Sequence, residues 1–144
     1  MPARALVIAV ALLTVALVST ATAAGGARVV GDCVRSQVKP AQIIIYCADA
    51  NGLLKNMRWS SFGGATARGS GSFSFNDCSP SCAAGRFHSY PVKVTLSQPA
   101  RCPDGHTDYR VADAIYSSKT RRPSGPAGKS GRPGKLSLSC PLKG

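Results

Sequence analysis

Six cysteines constrain the fold of this chain more than any other feature of its sequence. They are Cys33, Cys47, Cys78, Cys82, Cys102 and Cys140, and all of them follow an apolar N-terminal segment. An even number of cysteines in a small exported chain is typical of a disulfide framework, in which each bridge contributes about 2–4 kcal/mol of stability. Many pairings are compatible with six cysteines; we expect Cys33–Cys47, Cys78–Cys82 and Cys102–Cys140.

The N-terminus has the organisation of a secretory signal peptide. Arg4 precedes an uncharged apolar run over residues 5–18, and small residues follow it up to Ala24. This run is shorter than the ~20 residues that a transmembrane helix needs, so we expect cleavage after Ala23 or Ala24. The sequence therefore predicts a signal peptide over residues 1–23 and a single domain over residues 24–144, secreted and either extracellular or loosely associated with the cell envelope.

Alternation of apolar and polar residues dominates the rest of the chain. Runs typical of strands cover residues 41–47, 53–60, 66–75, 87–96, 109–116 and 136–140. The second run places Leu53, Met57 and Trp59 on one face, and the third places Gly69 and Gly71 on its apolar face, which predicts close packing of Trp59 against these glycines. We expect an all-β fold, a small disulfide-stapled antiparallel β-sandwich or barrel of about six strands.

The chain is strongly basic. It contains 18 Lys and Arg residues, six Asp and no Glu, and its formal net charge is +12. Such a protein is attracted to anionic partners, for example nucleic acid, lipid headgroups or acidic polymers of the cell envelope, although the charge could also serve solubility alone. A Pro/Gly/Ser-rich loop at about 117–134 contains five candidate anion-binding residues, Lys119, Arg121, Arg122, Lys129 and Arg132. The alternative is that this loop is only a solvated connection. Because the loop contains no aromatic residue, it could not stack bases as single-strand-binding proteins do.

Reactive side chains are concentrated in residues 76–88, which read NDCSPSCAAGRFH. The spacing of Cys78 and Cys82 fits half of a zinc site, and Asp77 or His88 could extend it, but the sequence has no second Cys/His pair. A redox pair would have two residues between its cysteines, at the start of a helix. In an oxidising compartment the two thiols pair with each other. We therefore expect a stapled turn between strands, with no metal and no other cofactor.

Two histidines are the remaining candidates for catalysis. Strand parity predicts that His88 is half-buried, whereas His106 lies in a turn-like segment. If both met in one cleft, they could act as base and acid in RNA cleavage, with cations steadying the phosphate. The sequence contains no serine-nucleophile motif, no paired carboxylates and no phosphate-binding glycine loop. We therefore expect a protein that is not an enzyme.

Four segments carry a resemblance to other proteins: KPAQI at 39–43, CADAN at 47–51, WSSFG at 59–63 and NDCSPSCAAGRFHSYPVKVTL at 76–96. Together they resemble a group of small secreted actinobacterial proteins of unknown function, with the pattern KPxxI…CADGN…W…WG…NDCxPxCAxGxFHxYPVxVxL. The resemblance covers residues 39–102 and departs from the pattern at Ala50, where the group has glycine, and at Phe62, where it has tryptophan. It implies an exported bacterial protein and carries over no functional residue.

Three functions are compatible with these features. The first is a secreted non-enzymatic binding or structural protein that is attracted to anionic envelope polymers. The second is a small secreted protease inhibitor that presents either the Cys78–Cys82 turn or the basic loop near Arg121 and Arg122. The third is a histidine-dependent ribonuclease, which requires His88 and His106 to lie close together.

Overall fold

The structure, a computed structural model, describes residues 25–117 and 133–142. Its strands are β1 (Val29–Val30), β2 (Ser36–Gln37), β3 (Gln42–Ile44), β4 (Gly52–Ser61), β5 (Ala67–Asn76), β6 (Phe87–Arg101), β7 (Thr107–Tyr116) and β8 (Gly134–Ser137). Strands β3 to β8 form one antiparallel sheet in chain order, and β1 and β2 form a separate antiparallel pair. The prediction of an all-β fold with about six antiparallel strands is confirmed. The predicted signal peptide and the five cations of the basic loop lie outside the described residues.

The N-terminal segment around β1 connects two distant parts of the curled sheet. The Arg28 amide donates to the Thr107 carbonyl, and the Tyr109 amide donates to the Arg28 carbonyl, both over 2.9 Å. Immediately after β1, the Gly31 carbonyl accepts a hydrogen bond from the amide of Ile44 in β3. Because β8 covers only part of the free edge of β7, the remainder of that edge is available to Arg28. The sheet therefore curls around one core, closer to a barrel than to a sandwich.

One hydrophobic core lies on the inner face of the sheet. Its members follow the strand register, so that Ala67, Leu96, Ala112 and Leu136 form a row across four neighbouring strands and are all buried. The rows beside it contain the buried residues Phe73, Val92, Val94 and Ala114. The alternation predicted for the third and fourth runs is thus confirmed.

Trp59 packs against the glycine-bearing strand, as expected, but is only half-buried. A Cβ atom added to Gly69 would come within 2.8 Å of the Trp59 ring, and one added to Gly71 would come within 2.5 Å of the Met57 sulfur. The glycines therefore make room for both side chains. The Trp59 indole Nε1 donates to the Pro40 carbonyl over 2.8 Å, which fixes the polar edge of the ring.

A bulge in β4 corrects one prediction. The alternation places Leu53 on the core face with Met57, whereas in the structure Leu54 is the fully buried residue. Asn56 has a positive φ of 55°, and the pairing of β4 with β5 shifts between Lys55 and Arg58. An inserted residue reverses the parity of a strand, so Leu54 and Met57 both face the core although they are three positions apart.

Three disulfides connect Cys33 with Cys47, Cys78 with Cys82, and Cys102 with Cys140, and no cysteine is free. The expected pairing is confirmed. In residues 25–117 and 133–142, no helix is long and apolar enough to cross a membrane. The three disulfides are compatible with an extracellular protein.

Candidate functional site

A groove on the outer face of the sheet contains three cations. Strand alternation that buries the apolar side chains directs the polar ones outward, and the register brings them together. Arg58 of β4 pairs with Ser70 of β5, and Ser70 pairs with Lys93 of β6. Since neighbouring strands are about 4.8 Å apart, the backbones of Arg58 and Lys93 are separated by about 10 Å.

Arg68 is the third positively charged side chain of the groove. It lies two residues before Ser70 on the same face of β5 and pairs with Thr95 of β6. The groove has a volume of about 420 Å³. We refer to its polar residues as the cationic groove: Arg58, Ser60, Arg68, Ser70, Lys93 and Thr95. Hydroxyl groups therefore alternate with positive charges along the same surface.

The three cations are exposed and have no acidic partner within the described residues. Only two ion pairs occur there, Arg35 with Asp32 and His88 with Asp77. One carboxylate borders the groove, because Asp113 of β7 pairs with Thr95, but it also lies opposite Lys135 of β8. The cationic groove thus carries an excess of positive charge that other side chains do not neutralise.

Most aspartates lie in turns, away from this face. The backbone amide of Arg35 lowers the pKa of Asp32, and the backbone amide of Asn51 lowers the pKa of Asp49. Asp104 accepts a hydrogen bond from the His106 amide in the turn between β6 and β7. Because these acids bind local backbone amides, they are held at the ends of the sheet, and the cations remain on its outer face.

The Cys78–Cys82 turn is a second region of dense polar contacts, and Asp77 holds it together. Its Oδ1 accepts hydrogen bonds from the amides of Arg86, over 2.9 Å, and Ser79, over 3.1 Å. Its Oδ2 lies 2.8 Å from Nε2 of His88, whose side chain is 41% exposed, as expected for a half-buried residue. The Arg86 amide, followed by the His88 side chain, lowers the pKa of Asp77 to about 2.

Asn76 links this turn to the segment at residues 47–51. Its side-chain oxygen accepts from the Cys78 amide, and its nitrogen donates to Asn51 Oδ1 and to the Cys82 carbonyl over 3.1 and 2.8 Å. Gly85 leaves room for it, because an added Cβ would collide with Asn76 Oδ1 and come within 2.8 Å of the Cys78 nitrogen. Two of the segments that carry the resemblance therefore meet here, and the contacts support the interpretation of a stapled turn.

The two histidines do not share a cleft. His88 lies at the beginning of β6, and His106 lies in the turn after its end, so most of a 15-residue strand separates them. At about 3.3 Å per residue, this separation is roughly 45 Å along the strand. The convergence that the ribonuclease alternative requires is not present.

Sequence reasoning did not identify the cationic groove. It located the candidate anion-binding residues in the basic loop, outside the described residues. The available signal was the alternation itself, which places Arg58, Arg68 and Lys93 on the polar faces of three separate strands. Only the register shows that these faces are adjacent.

Comparisons with protein-family models, with curated proteins and with solved structures find no match to this chain. The resemblance to the secreted actinobacterial group therefore stays a prediction.

Proposed function

We propose that this chain is a secreted, non-enzymatic protein that binds anionic polymers of the cell envelope through the cationic groove. The observation that carries the proposal is the adjacency of Arg58, Arg68 and Lys93 on three strands, with no acidic partner among the described residues. Export agrees with the signal-peptide pattern and with the three disulfides. The separation of His88 and His106 argues against the ribonuclease alternative, which requires the two side chains in one cleft.

The composition of the groove favours an acidic glycan or a polyol phosphate polymer over single-stranded nucleic acid. Among the described residues, its lining offers cations and hydroxyl groups but no aromatic ring on which a base could stack. Charged groups repeated along a polymer can contact several cations at once, while Ser60, Ser70 and Thr95 can exchange hydrogen bonds with its hydroxyls. In this proposal the five cations of the basic loop add a second, sequence-independent contribution to the same attraction.

The test compares two triple variants with equal change in net charge. The first replaces Arg58, Arg68 and Lys93 with Gln, and the second replaces three exposed cations elsewhere, Lys39, Arg86 and Arg101. Binding to a poly(glycerol phosphate) probe is measured over a range of salt concentrations. We expect the groove variant to bind about tenfold more weakly at low salt and its log–log salt slope to become shallower by about 2, because fewer counterions are released.

Equal losses in both variants would mean diffuse attraction by net charge and would contradict a role for the groove. Neutralising Lys119, Arg121, Arg122, Lys129 and Arg132 together measures the contribution of the basic loop separately. We expect the free energy of unfolding of the groove variant to be within about 0.5 kcal/mol of that of the parent protein, since the substituted side chains are exposed.

One observation favours protease inhibition as a second candidate function. Residues 80–84 of the Cys78–Cys82 turn are exposed, and the disulfide, Asn76 and Asp77 all brace the turn. An inhibitor would lose potency when Ser81 is replaced with Asp, without losing stability. Unchanged activity of a panel of secreted serine and cysteine proteases in the presence of the protein would argue against this function.

A further inference from the structure

A cavity opens beside the Cys78–Cys82 turn, at one end of the curled sheet. Its volume is about 400 Å³, which is within the usual range for small-molecule sites in proteins. The segment after β3, the end of β5 and the residue before β8 all contribute to its lining. We refer to it as the aromatic cavity, because its lining includes the rings of Tyr46, Phe73 and Phe75.

The three rings give the aromatic cavity its apolar surface. Phe73 and Phe75 are buried and stacked, with ring centroids 5.7 Å apart, whereas Tyr46 is 50% exposed. The Tyr46 ring lies against Gly52, where an added Cβ would come within 2.5 Å of two of its carbons. The face of an aromatic ring carries negative charge and attracts cations, so these rings can bind both apolar and cationic groups.

The walls of the aromatic cavity are braced by covalent bonds and hydrogen bonds. The Cys33–Cys47 disulfide holds the chain immediately after Tyr46, and the Cys78–Cys82 disulfide belongs to the lining itself. The Asn76 side chain donates both to Asn51 Oδ1 and to the Cys82 carbonyl, which ties the two walls together. A ligand therefore enters a site that is already formed, and little binding energy is spent on ordering it.

Two carboxylates, those of Asp49 and Asp77, also line the aromatic cavity, and no Lys, Arg or His of residues 25–117 and 133–142 does. Backbone amides lower the pKa of both, so both are ionised at neutral pH. The His88 ring contacts Asp77. The exposed Asp49 side chain accepts hydrogen bonds from the neutral residue Asn51, and it forms no ion pair within the described residues.

We propose that the aromatic cavity binds a small organic cation, an amine with a short apolar body. The ammonium group lies against Asp49 and the faces of the rings, and the apolar body lies against Tyr46 and Phe75. The formal net charge of +12 repels cations at long range, but at 0.1 M salt this repulsion is screened beyond about 10 Å. The two nearby carboxylates therefore set the sign of the local field, and an anion of the same shape is excluded.

The test is a titration of ¹⁵N-labelled protein, followed by amide chemical shifts, with three probes of one shape. The probes are 2-phenylethylamine, 2-phenylethanol and 3-phenylpropionate, which are cationic, neutral and anionic at neutral pH. We expect the amine to shift the amides of Asn51 and Asn76 with a dissociation constant of about 1 mM. The alcohol should bind about fivefold more weakly, and the propionate should leave these two amides unchanged.

Two variants identify the groups that bind the amine. Asp49→Asn should weaken amine binding about fivefold, and Tyr46→Leu, which keeps an apolar side chain without the ring, about threefold. Both side chains are exposed, so both variants should fold. Asp32→Asn is the matched control, because Asp32 also accepts hydrogen bonds from nearby backbone amides but lies outside the aromatic cavity. It should retain the affinity of the parent protein.

Equal affinities for the amine and the alcohol would overturn the proposal, as would equal affinities of Asp49→Asn and the parent protein for the amine. Amine-induced shifts confined to residues away from the aromatic cavity would overturn it as well. The variant with Arg58, Arg68 and Lys93 replaced by Gln should bind the amine like the parent protein. Failure of the polymer-binding proposal and failure of this one are therefore distinguishable.

Discussion

Asp77 and Asp108 lie near opposite ends of β6 and have contrasting surroundings. Asp77 is partly exposed, and both of its oxygens have partners: two backbone amides on Oδ1 and the His88 ring on Oδ2. Asp108 is fully buried, yet only the Ser36 hydroxyl is within hydrogen-bond distance, and its Oδ1 has no partner in residues 25–117 and 133–142. Each aspartate is also close to a disulfide.

The number of donors, rather than the presence of a carboxylate beside cysteines, distinguishes the two environments. At the Asp77 end two backbone amides donate hydrogen bonds to the carboxylate, so the role of Asp77 is to fix a turn. At the Asp108 end the fold brings two acids together with one hydroxyl hydrogen, so one buried carboxylate oxygen has no partner among the described residues. The sequence segment with the most reactive residues therefore contains the carboxylate with the most donors, and the plainer segment contains the buried carboxylate with the fewest.

The largest expected effect tests how strongly the Asp108 end is packed. Tyr109 is fully buried there; its hydroxyl donates to the Gly64 carbonyl over 2.8 Å and accepts from the Gly63 amide. We expect Tyr109→Ala to lower the free energy of unfolding by about 3–5 kcal/mol, because it leaves a large cavity. Tyr109→Phe, which removes only the hydrogen bonds, should cost about 1–2 kcal/mol in the same urea titration. Equal losses would show that packing of the ring contributes little.

The next effect tests the Asp77 end. Gly85→Ala forces Asn76 away from the Cys78 amide, Asn51 and the Cys82 carbonyl, and should cost about 2 kcal/mol. Gly64→Ala is the matched control, since an added Cβ would meet only the Thr66 carbonyl oxygen at 3.8 Å. Similar urea midpoints for the two variants would contradict the role of Asn76 in holding the turn.

The smallest effect is a pH dependence at the Asp77 end. The pKa of Asp77 is lowered to about 2 from an ordinary value of 3.8, so the folded state favours the ionised form. Its contribution to stability is therefore complete above about pH 4 and is lost as the pH falls from 4 through 2. Asp77→Asn should flatten the dependence of the urea midpoint on pH in this window.

His88→Gln should flatten the pH dependence of the urea midpoint less than Asp77→Asn does. The Arg86 amide, which is the largest cause of the lowered pKa of Asp77, remains in place in this variant. An unchanged pH profile in Asp77→Asn would show that other carboxylates account for the acid sensitivity of the fold.

Much of the sheet was predictable because its side chains alternate with a period of two. The core faces of β5 and β6, from Phe73 to Leu96, follow directly from that alternation, as does the contact of Trp59 with Gly69. The bulge at Asn56 was not predictable, since the residue gives no sign that its φ is positive. One inserted residue then moves Leu54 rather than Leu53 into the core.

The cationic groove and the contacts of Asp108 were less predictable because both depend on contacts between distant segments. The cationic groove joins three strands through their register, and alternation alone cannot show which residues are opposite one another. The Ser36 hydroxyl contacts Asp104 and Asp108, which are 68 and 72 positions away along the chain. No sequence pattern pairs Ser36 with either aspartate, so only the folded chain brings them together.

The connection of the N-terminal segment to the far strands has a consequence for the order of folding. Arg28 lies near the start of the described chain and completes the sheet by hydrogen-bonding to Thr107 and Tyr109. Both of these residues belong to β7, and only β8 and the C-terminal residues are synthesised after that strand. Non-local pairing of this kind is slow, because a long loop must close before the contact forms. Until β7 has been synthesised, the sheet cannot close, because Arg28 has no strand with which to form these two hydrogen bonds. A chain with this topology therefore completes its sheet only after β7 has been synthesised.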